Sequence, residues 1–451
     1  MKHEHVYVVA VDMGYGHQRA GFPLLSIATT PPQWNIKEPM IIAANNYPGI
    51  AQSDKIIWDT MEKRYNWFSK MTSFPLVGKI IFGILDFFQT IEQFYPKRDL
   101  SKPTAQLQKT YRAIHKGFGK DLIDTLNKKP LPFVATFFTA AFFAEEHGYA
   151  GDIYCLCTDT DISRAWAPLN PETSRITYLA PTRRVQERLQ MYGVNSQKII
   201  VTGFPLPEEL IGTDDTDNVL LKALSRRIIK LDPRGIFEKK FNKTISAHCG
   251  KIKRAIYDNT PITITFAIGG AGAQSEIGIQ VLSSLSEAIK KGAIKINLVA
   301  GSSKIIKEKF EEAIEKNNLK DLYNNGIQII YNQNKFEYFK EFDMILQETD
   351  LLWTKPSELS FYAGLGLPII MAPTVGSQET FNKSWLQMIG AGFQQDDSRY
   401  THQWLFDWIN SGLLAEGALD GYLNGPKHGT KNIINVVTQG TKTEIQDIHF
   451  L

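Results

Sequence analysis

The sequence predicts an α/β protein made of two parallel-sheet domains that face each other across a cleft. Short runs of apolar residues typical of buried strands alternate with helical patterns, which indicates parallel βαβ units. Two of these strands, Val6–Ala10 and Ile262–Ile268, each lead into a glycine-rich loop followed by a helix. Because 451 residues suit two domains of ordinary size, we expect two Rossmann-like domains.

The composition is that of a globular enzyme with a nearly balanced charge. The chain is 43% hydrophobic and 22% charged, with a net charge of +3, which gives no general signature of nucleic-acid binding. Three cysteines give no disulfide framework, and we expect Cys155 and Cys157 on opposite faces of a strand, without a shared metal. A signal peptide and a run of about 18 apolar residues are both lacking, so the predicted location is cytoplasmic.

The first glycine loop brings a carboxylate and an imidazole to the end of the first strand. Asp12 is followed by Gly14, Tyr15, Gly16 and His17. Ligands of open α/β sheets bind outside the carboxyl ends of the strands, where glycines allow the backbone to approach them closely. The alternative is a glycine turn with a solvated Asp and a His that starts a helix.

Elements alternate through the remainder of the first half. We predict strands at Met40–Ala44, Phe133–Phe138, Asp152–Cys157, Ile176–Ala180 and Lys198–Thr202. Predicted helices cover Gln18–Ile27 with an interruption near Pro23, Trp58–Trp67, Ala105–Asn127, a stretch ending near His147, and Arg183–Tyr192 with Thr182 as N-cap. The break at Gly203-Phe204-Pro205 fits a hinge between domains.

Phe74–Tyr95 has a wide apolar face at helical spacing. Such a helix can lie in a membrane interface or line a groove for an apolar acceptor. It can equally be packed inside its own domain, and Asp86 and Glu92 weaken the membrane alternative.

The second half repeats the opening pattern. Leu210–Thr260 is charged and helical in pattern, and Ile262–Ile268 then leads into Gly269–Ala273 and a helix over Gln274–Lys291. Backbone N–H groups and a helix N-terminus at this point suit a phosphate. Further predicted elements are strands at Lys295–Ala300, Ile327–Tyr331, Met344–Glu348 and Ile369–Ala372, a helix Leu359–Leu365 capped by Ser357, and a terminal helix and tail over Asn432–Leu451.

Polar residues follow several strands of both halves. Thr158–Asp161 comes after one strand of the first half, with Trp166 close behind, and Glu358, Gln378, Glu379 and Asn382 follow strands of the second half. Polar groups clustered at successive strand ends are hard to explain by packing, and they predict a binding site in the cleft.

These motifs, in this order, resemble the GT-B glycosyltransferases. The similar branch contains monogalactosyldiacylglycerol synthase, the processive diacylglycerol glucosyltransferases and the lipid-linked N-acetylglucosaminyltransferase of peptidoglycan synthesis. Asp12–His17 resembles its Asp-Thr-Gly-Gly-Gly-His loop, and Thr158-Asp159 with Trp166 resembles its Thr-Asp…His…Trp segment. Tyr178–Pro205 matches the end of its N-terminal domain, and Pro373–Asn382 is similar to its Pro-Gly-Gln-Glu…Asn motif.

The resemblance implies an inverting transfer of sugar from a nucleotide donor, a UDP-sugar, to a lipid or other amphiphilic acceptor, without a metal or other cofactor. Either Asp12 or His17 is then the catalytic base, and Gly14, Tyr15, Gly16, Asp159 and Trp166 bind the acceptor. The implied donor-binding residues are Gly269, Gly270, Ala271, Gly272, Ser302, Glu358, Gln378, Glu379 and Asn382. Nucleic acid is not an expected partner, whereas peripheral membrane contact through 74–95 is.

The chain departs from the family pattern at several places. Ser163 stands where the family has a histidine. Ser357 and Glu358 replace a glycine pair, and the helix before Gly366 is two residues shorter, so the family's ribose-binding glutamate has no unambiguous counterpart; Glu358 is our choice for it. A UDP-sugar 2-epimerase, which shares the two-sheet architecture, and a non-catalytic sugar-nucleotide-binding relative are the alternatives. The predicted domains are 1–205 for the acceptor, 206–260 as hinge and connection, 261–430 for the donor, and 431–451 as terminal helix and tail.

Overall fold

The structure is a computed structural model, and it describes residues 3–71, 91–212, 219–250, 252, 254–257, 260–267, 274–374 and 377–440. The chain forms two compact units. Unit 1 comprises Met1–Leu206, Val375–Asn382 and Pro426–Leu451, and unit 2 comprises Pro207–Thr374 and Lys383–Gly425.

Unit 1 contains a six-stranded parallel sheet in the order β2-β1-β3-β4-β5-β6. Its strands are β1 Tyr7–Ala10, β2 Ile42–Ala43, β3 Phe133–Ala135, β4 Ile153–Leu156, β5 Thr177–Ala180 and β6 Ile199–Val201. The strands are almost continuously apolar because helices cover both faces of a parallel sheet. Tyr7–Ala10, for example, is buried throughout.

Unit 2 contains a second parallel sheet in the order β12-β11-β10-β7-β8-β9. Its strands are β7 Ile262–Ala267, β8 Ile294–Gly301, β9 Ile327–Tyr331, β10 Leu351–Thr354, β11 Ile369–Met371 and β12 Gly392–Gln394. Each unit has its own apolar core around its sheet.

Helices connect the strands of both sheets. In chain order they are α1 Gly16–Gly21, α2 Gln52–Met71, α3 Ala105–His115, α4 Lys120–Leu126, α5 Phe138–Glu146, α6 Arg183–Met191, α7 Val219–Lys230, α8 Ile236–Cys249, α9 Ser275–Ser284, α10 Ser286–Lys290, α11 Lys304–Lys316, α12 Lys335–Glu348, α13 Ser377–Met388, α14 Thr401–Ser411, α15 Leu413–Asn424 and α16 Gly429–Gln439. Short 3₁₀ helices lie at Phe22–Ile27, Pro32–Trp34, Arg164–Trp166, Ser196–Lys198, Glu208–Leu210, Arg254–Ile256, Lys320–Leu322, Glu358–Leu365 and Ser398–Tyr400. The prediction of an α/β chain with two Rossmann-like domains is confirmed.

The predicted single helix over Ala105–Asn127 is wrong, because glycines divide it. Gly117 and Gly119 have φ angles of 104° and 81° between α3 and α4, a conformation that L side chains rarely adopt. A Cβ at Gly119 would also lie 2.2 Å from a ring atom of Phe143. The chain therefore turns at these glycines, and Phe143 packs directly against the turn.

The predicted strand at Met344–Glu348 is also wrong, since these residues form the last turn and a half of α12. Asn334 caps this helix by accepting hydrogen bonds from the N–H groups of Phe336 and Glu337 at 2.9 and 3.4 Å. The buried residues of α12 recur at helical spacing: Tyr338, Phe339, Phe342, Asp343 and Leu346. A five-residue window at its end is too short to show this period.

Three smaller expectations also differ from the structure. The helix predicted over Gln274–Lys291 is divided at Leu285 into α9 and α10. Glu358–Leu365 is a 3₁₀ helix, and the Ser357 side chain makes no capping hydrogen bond to it. Cys155 and Cys157 are buried in the same core, because residues two apart on a strand share a face.

The apolar segment Phe74–Tyr95 lies largely outside the described residues, which resume at Ile91. Ile91–Tyr95 is not helical, and a residue before proline, here Tyr95, disfavours the helical conformation. Phe94 is buried with the Arg184 guanidinium 3.7 Å from its ring centre, whereas Tyr95 is 66% exposed. Among the helices of the described residues, none is long and apolar enough to cross a membrane.

The strand break at Gly203 is tied to the carboxyl-terminal helix of unit 1. Asn432 donates to the Thr202 carbonyl at 3.0 Å, and Thr430 donates to the Leu206 carbonyl at 2.5 Å. The structure therefore places α16 in unit 1, where the sequence predicted a terminal helix and tail. Helices α7 and α8, predicted as a connection, contribute Leu224, Ile228 and other residues to the core of unit 2.

Candidate functional site

The candidate site of unit 1 lies at the carboxyl ends of four neighbouring strands. Asp12 follows β1, Asn45 follows β2, Thr136 follows β3 and Asp159 follows β4. The Asp12 N–H donates to Asn45 Oδ1 at 2.7 Å, and Asn45 Nδ2 donates to the Asp12 carbonyl at 3.3 Å. These two bonds fix the start of the glycine loop against the neighbouring strand.

The glycine loop is open at its centre. Gly14 is exposed with a φ of 78°, and a Cβ built on it would have no heavy atom within 4 Å. Glycine is therefore required here by the backbone conformation rather than by crowding. Asp12, Gly16 and His17 are partly exposed, and Tyr15 is 9% exposed. A ligand can reach this loop from solvent.

His17 is held by the loop after β3. Its Nδ1 lies 2.8 Å from the Thr136 carbonyl oxygen, which can only accept a hydrogen bond, so Nδ1 carries the proton. In the neutral ring Nε2 is then the basic nitrogen. The ring of Phe137 contacts the imidazole edge to face with centres 4.8 Å apart, and Trp166 lies at 6.4 Å.

Thr136 and Phe137 were missed by the sequence analysis, although the signal was available. They follow β3 directly and so occupy the same sheet edge as Asp12 and Asp159. Their location was hidden because the predicted strand extended to Phe138, whereas β3 ends at Ala135.

The loop after β4 is anchored by three of its four residues. Thr158, Thr160 and Asp161 are buried, whereas Asp159 is partly exposed. Asp161 accepts two hydrogen bonds of 2.8 Å from the buried Arg188 of α6. Burial raises the pKa of Asp161 above its ordinary value, and the hydrogen bonds from Arg188 oppose that rise.

Trp166 is the last of the predicted site residues at this edge of the sheet. It is 4% exposed, its ring centre is 5.3 Å from that of Phe138, and its carbonyl accepts a hydrogen bond of 2.7 Å from Tyr178. Arg164 donates to the carbonyls of Ala167 and Pro168 in its own loop and to the carbonyl of Ser101. The last bond holds the loop after β4 to the segment that precedes α3. The structure thus brings Asp12, His17, Asp159 and Trp166 to one edge of the sheet in unit 1.

Of the predicted donor residues, Gly269, Gly270, Ala271 and Gly272 lie outside the described residues. Ser302 follows β8 and is partly exposed, and it is Ser303 that caps α11. Glu358 follows β10 at the start of a 3₁₀ helix and is partly exposed. Gln274, at the start of α9, donates to the Pro373 carbonyl after β11 at 2.7 Å.

The predicted sugar-reading residues lie on the first turns of α13. Gln378 is partly exposed, Glu379 is 9% exposed and Asn382 is fully buried. All three belong to unit 1. Asn382 contacts Thr160 and Asp159 there.

Unit 2 has a cavity of about 430 Å³ at the carboxyl ends of β11 and β12, which the sequence did not indicate. It is bounded by Met371, Ala372, Pro373, Thr374, Lys383, Gln394, Gln395, Asp396 and Asp397. Lys383 donates to Gln394 at 2.6 Å. The Arg399 guanidinium lowers the pKa of Asp397 to about 2. Among the described residues of either unit, no three His, Cys, Asp or Glu side chains form a group that could hold a metal.

Comparison with known proteins gives a partial family match. Residues 235–325 and 308–407, less than half of the chain, match a family described as a domain of unknown function (DUF6938). No curated protein matches the chain.

Several solved structures are similar in fold. Staphylococcus aureus MnaA, in a co-structure with UDP, is 11% identical over 98% of this chain and 97% of that chain, with a TM-score of 0.48. UDP-GlcNAc 2-epimerase from Neisseria meningitidis, bound to UDP-GlcNAc, is 13% identical over 96% and 99%, with a TM-score of 0.45. A putative UDP-N-acetylglucosamine 2-epimerase from Listeria monocytogenes is 12% identical over 99% and 100%, with a TM-score of 0.48.

Proposed function

We propose that this chain is an inverting glycosyltransferase that moves a sugar from a UDP-sugar to a hydroxyl of an amphiphilic acceptor. The observation that carries the proposal is the hydrogen bond between His17 Nδ1 and the Thr136 carbonyl, 2.8 Å long. It holds the ring in the tautomer whose Nε2 accepts a proton, as a general base requires.

In the proposed reaction His17 Nε2 takes the proton of the acceptor hydroxyl. The acceptor oxygen forms a bond to the anomeric carbon while the bond from that carbon to the diphosphate oxygen breaks. The electron pair of the broken bond leaves with UDP, and the anomeric configuration inverts. Asp12 and Asp159, carboxylates at the same sheet edge, orient the acceptor together with Gly14, Tyr15, Gly16 and Trp166.

The donor-binding residues are proposed from the resemblance; the glycine loop, Ser302 and Glu358 belong to unit 2, and Gln378 and Glu379 belong to unit 1. As negative charge develops on the leaving diphosphate, backbone N–H groups and a helix N-terminus stabilise it. We assign Gly269, Gly270, Ala271, Gly272 and Ser302 to the diphosphate and Glu358 to the ribose. Gln378 and Glu379 are the residues assigned to sugar hydroxyls, which bidentate polar groups discriminate well.

An amphiphilic acceptor is supported by the apolar sequence pattern of residues 74–90, the part of the segment Phe74–Tyr95 that lies outside the described residues. Replacing Ile84 and Phe88 by Asp is expected to leave the protein folded and able to bind UDP, but to abolish its sedimentation with lipid vesicles and its transfer to a lipid acceptor. Exposed apolar side chains contribute roughly 0.8 kcal/mol per buried methylene to membrane attachment. A folded double variant with undiminished transfer to the lipid acceptor would show that this segment does not meet the acceptor.

A turnover assay with a panel of UDP-sugars tests the reaction itself. A transferase releases UDP and forms a glycosylated product only when an acceptor such as an alkyl glycoside or diacylglycerol vesicle is present. A 2-epimerase instead incorporates deuterium at C2 of the sugar in heavy water without any acceptor. A sugar-nucleotide-binding protein without catalysis gives binding but neither product. Either of the last two results contradicts the proposal.

A further inference from the structure

The loop after β4 keeps one acid accessible by anchoring its neighbours. Asp161 is paired with Arg188, and the Thr160 carbonyl accepts a hydrogen bond of 3.1 Å from the Thr182 hydroxyl. Asp159, between the buried Thr158 and Thr160, is partly exposed at the edge of the sheet. The direction of its carboxylate therefore depends on what its side chain contacts.

Asn382 contacts this loop through both ends of its amide. Its Oδ1 accepts the Thr160 N–H at 2.9 Å and the Thr160 hydroxyl at 2.8 Å, and its Nδ2 donates to Asp159 Oδ1 at 3.0 Å. A backbone N–H can only donate, so the amide atom beside it must be the oxygen. The amino group therefore faces the Asp159 carboxylate, so the donors and acceptors around Asn382 allow only one orientation of its amide.

Three hydrogen bonds on a fully buried side chain leave the amide little rotational freedom. We infer that Asn382 is a positioning residue that sets the direction of the Asp159 carboxylate for the acceptor, in place of reading hydroxyls of the donor sugar. This inference rests on the proposed function, because it assigns the oriented carboxylate to the acceptor hydroxyl beside His17. Under this inference, the loop after β4 and the start of α13 act together to orient the Asp159 carboxylate.

Asn382→Asp isolates the bond to Asp159. The new carboxylate still accepts both bonds from Thr160, but it replaces the donated bond with an oxygen that repels the Asp159 carboxylate. We expect kcat to fall about 10- to 100-fold, as misplaced reacting groups do, while KM for the UDP-sugar stays within about twofold. A kcat close to that of the wild type would overturn the inference.

The double variant Asp159→Asn with Asn382→Asp separates positioning from stability. The single variant Asn382→Asp is expected to lower the thermal unfolding midpoint, because two carboxylates then face each other. The double variant restores one hydrogen-bond donor and one acceptor between residues 159 and 382, so its midpoint is expected to return toward that of the wild type. The carboxylate is now on residue 382, so kcat is expected to stay low. Recovery of both quantities would mean that the pair is only structural.

Asn332→Asp is the matched control, because Asn332 Nδ2 also donates to a carboxylate at 3.0 Å, that of Glu341 in unit 2. The same chemical change is made there, and kcat is expected to remain at the wild-type value. An equal fall of kcat in this variant would show that the effect at residue 382 is not local.

A spectroscopic readout keeps the pairing testable without turnover. In isotope-labelled protein the side-chain amide signal of Asn382, assigned by its loss in Asn382→Asp, is expected to shift with pH as Asp159 ionises. The shift is expected to vanish in Asp159→Asn. A signal that does not titrate in the wild type overturns the inference whatever the reaction is. A titrating signal in a protein that transfers no sugar upholds the pairing and refutes the proposed function.

Discussion

Two networks of polar and charged side chains, one in each unit, differ in which end of a strand they adjoin and in how much of them is exposed. The network after β4 in unit 1 contains Asp159, Asp161, Arg188 and Asn382, and it leaves Asp159 partly exposed. The network before β10 in unit 2 is centred on Asp350, which is fully buried.

In unit 2 the charges hold helices to strands. Asp350 accepts from the Thr263 N–H at 2.9 Å and from Arg226 and Lys230 at 2.8 Å each. Arg227 donates to the carbonyls of Thr349, Leu365 and Leu346, which end α12 and the 3₁₀ helix. Burial, and then the charge of Arg226, lower its pKa to about 9. The acid at the amino end of β10 is thus buried and fully used in holding helices to the sheet, whereas the loop at the carboxyl end of β4 buries Asp161 with Arg188 and leaves Asp159 partly exposed.

The largest expected effect is on stability and comes from Asp350→Ala. It removes three accepted hydrogen bonds and leaves two cations without their acid, for which the expected loss is about 3–5 kcal/mol of unfolding free energy. Urea unfolding followed by tryptophan fluorescence measures it. Glu315→Ala, which breaks an exposed pair with Lys320, is the control and is expected to cost less than about 1 kcal/mol. Equal losses would contradict a scaffold role for Asp350.

His17→Asn is the corresponding change at the carboxyl end. Its amide can still donate to the Thr136 carbonyl, but the basic Nε2 is lost. We expect turnover to fall about 10²–10³-fold with little change in the urea midpoint. Unchanged turnover at saturating substrates, or a large fall in the urea midpoint, would show that His17 has a structural role and is not the base.

Asp420 in unit 2 is an acid whose pKa is raised from 3.8 to about 6 by burial and then by the charge of Glu416. The folded state therefore binds more protons than the unfolded chain between these values, so stability falls as pH rises through that window. Asp420→Asn is expected to stabilise the protein by about 1–2 kcal/mol at pH 7, since the group is only half buried. Unfolding curves at pH 5 and pH 7 measure this, and an equal pH dependence in both proteins would contradict it.

Thr182 links α6 to the loop after β4. Its hydroxyl oxygen caps α6 by accepting the Val185 N–H, and its O–H donates to the Thr160 carbonyl. Thr104 caps α3 in the same way through the Leu107 N–H. Thr182→Ala is expected to cost about 1 kcal/mol more than Thr104→Ala, the worth of one additional hydrogen bond. Thermal unfolding of the two variants measures this difference. Equal losses of unfolding free energy would show that the hydrogen bond from Thr182 to the Thr160 carbonyl adds no stability.

The elements that could be predicted are those whose signal lies within one stretch of chain. The strands at Val6–Ala10 and Ile262–Ile268 are apolar runs that end in glycine, and burial on both sheet faces gives them that composition. The break between α3 and α4 could not be predicted, because Gly119 is required by its contact with Phe143, 24 positions away.

The residues of the candidate site also divide into those with a local sequence signal and those that depend on contacts between distant parts of the chain. Asp12 and His17 lie in one loop, so their proximity was predictable. The partner of His17 is the backbone carbonyl of Thr136, 119 residues later. The sequence can show that Thr136 follows a strand, but it does not show that its carbonyl meets His17. Asn382 was assigned to the donor sugar because it belongs to a local motif, yet its partners Thr160 and Asp159 lie more than 220 residues away. Local spacing does not reveal such a contact.

The position of α16 in unit 1 has a consequence for biosynthesis. A ribosome delivers every strand of both sheets before it delivers the helix that bonds to Thr202 and Leu206. Unit 1 therefore receives this helix only after the strands of unit 2 have been made. Removal or disruption of α16 thus acts first on the unit that contains Asp12 and His17.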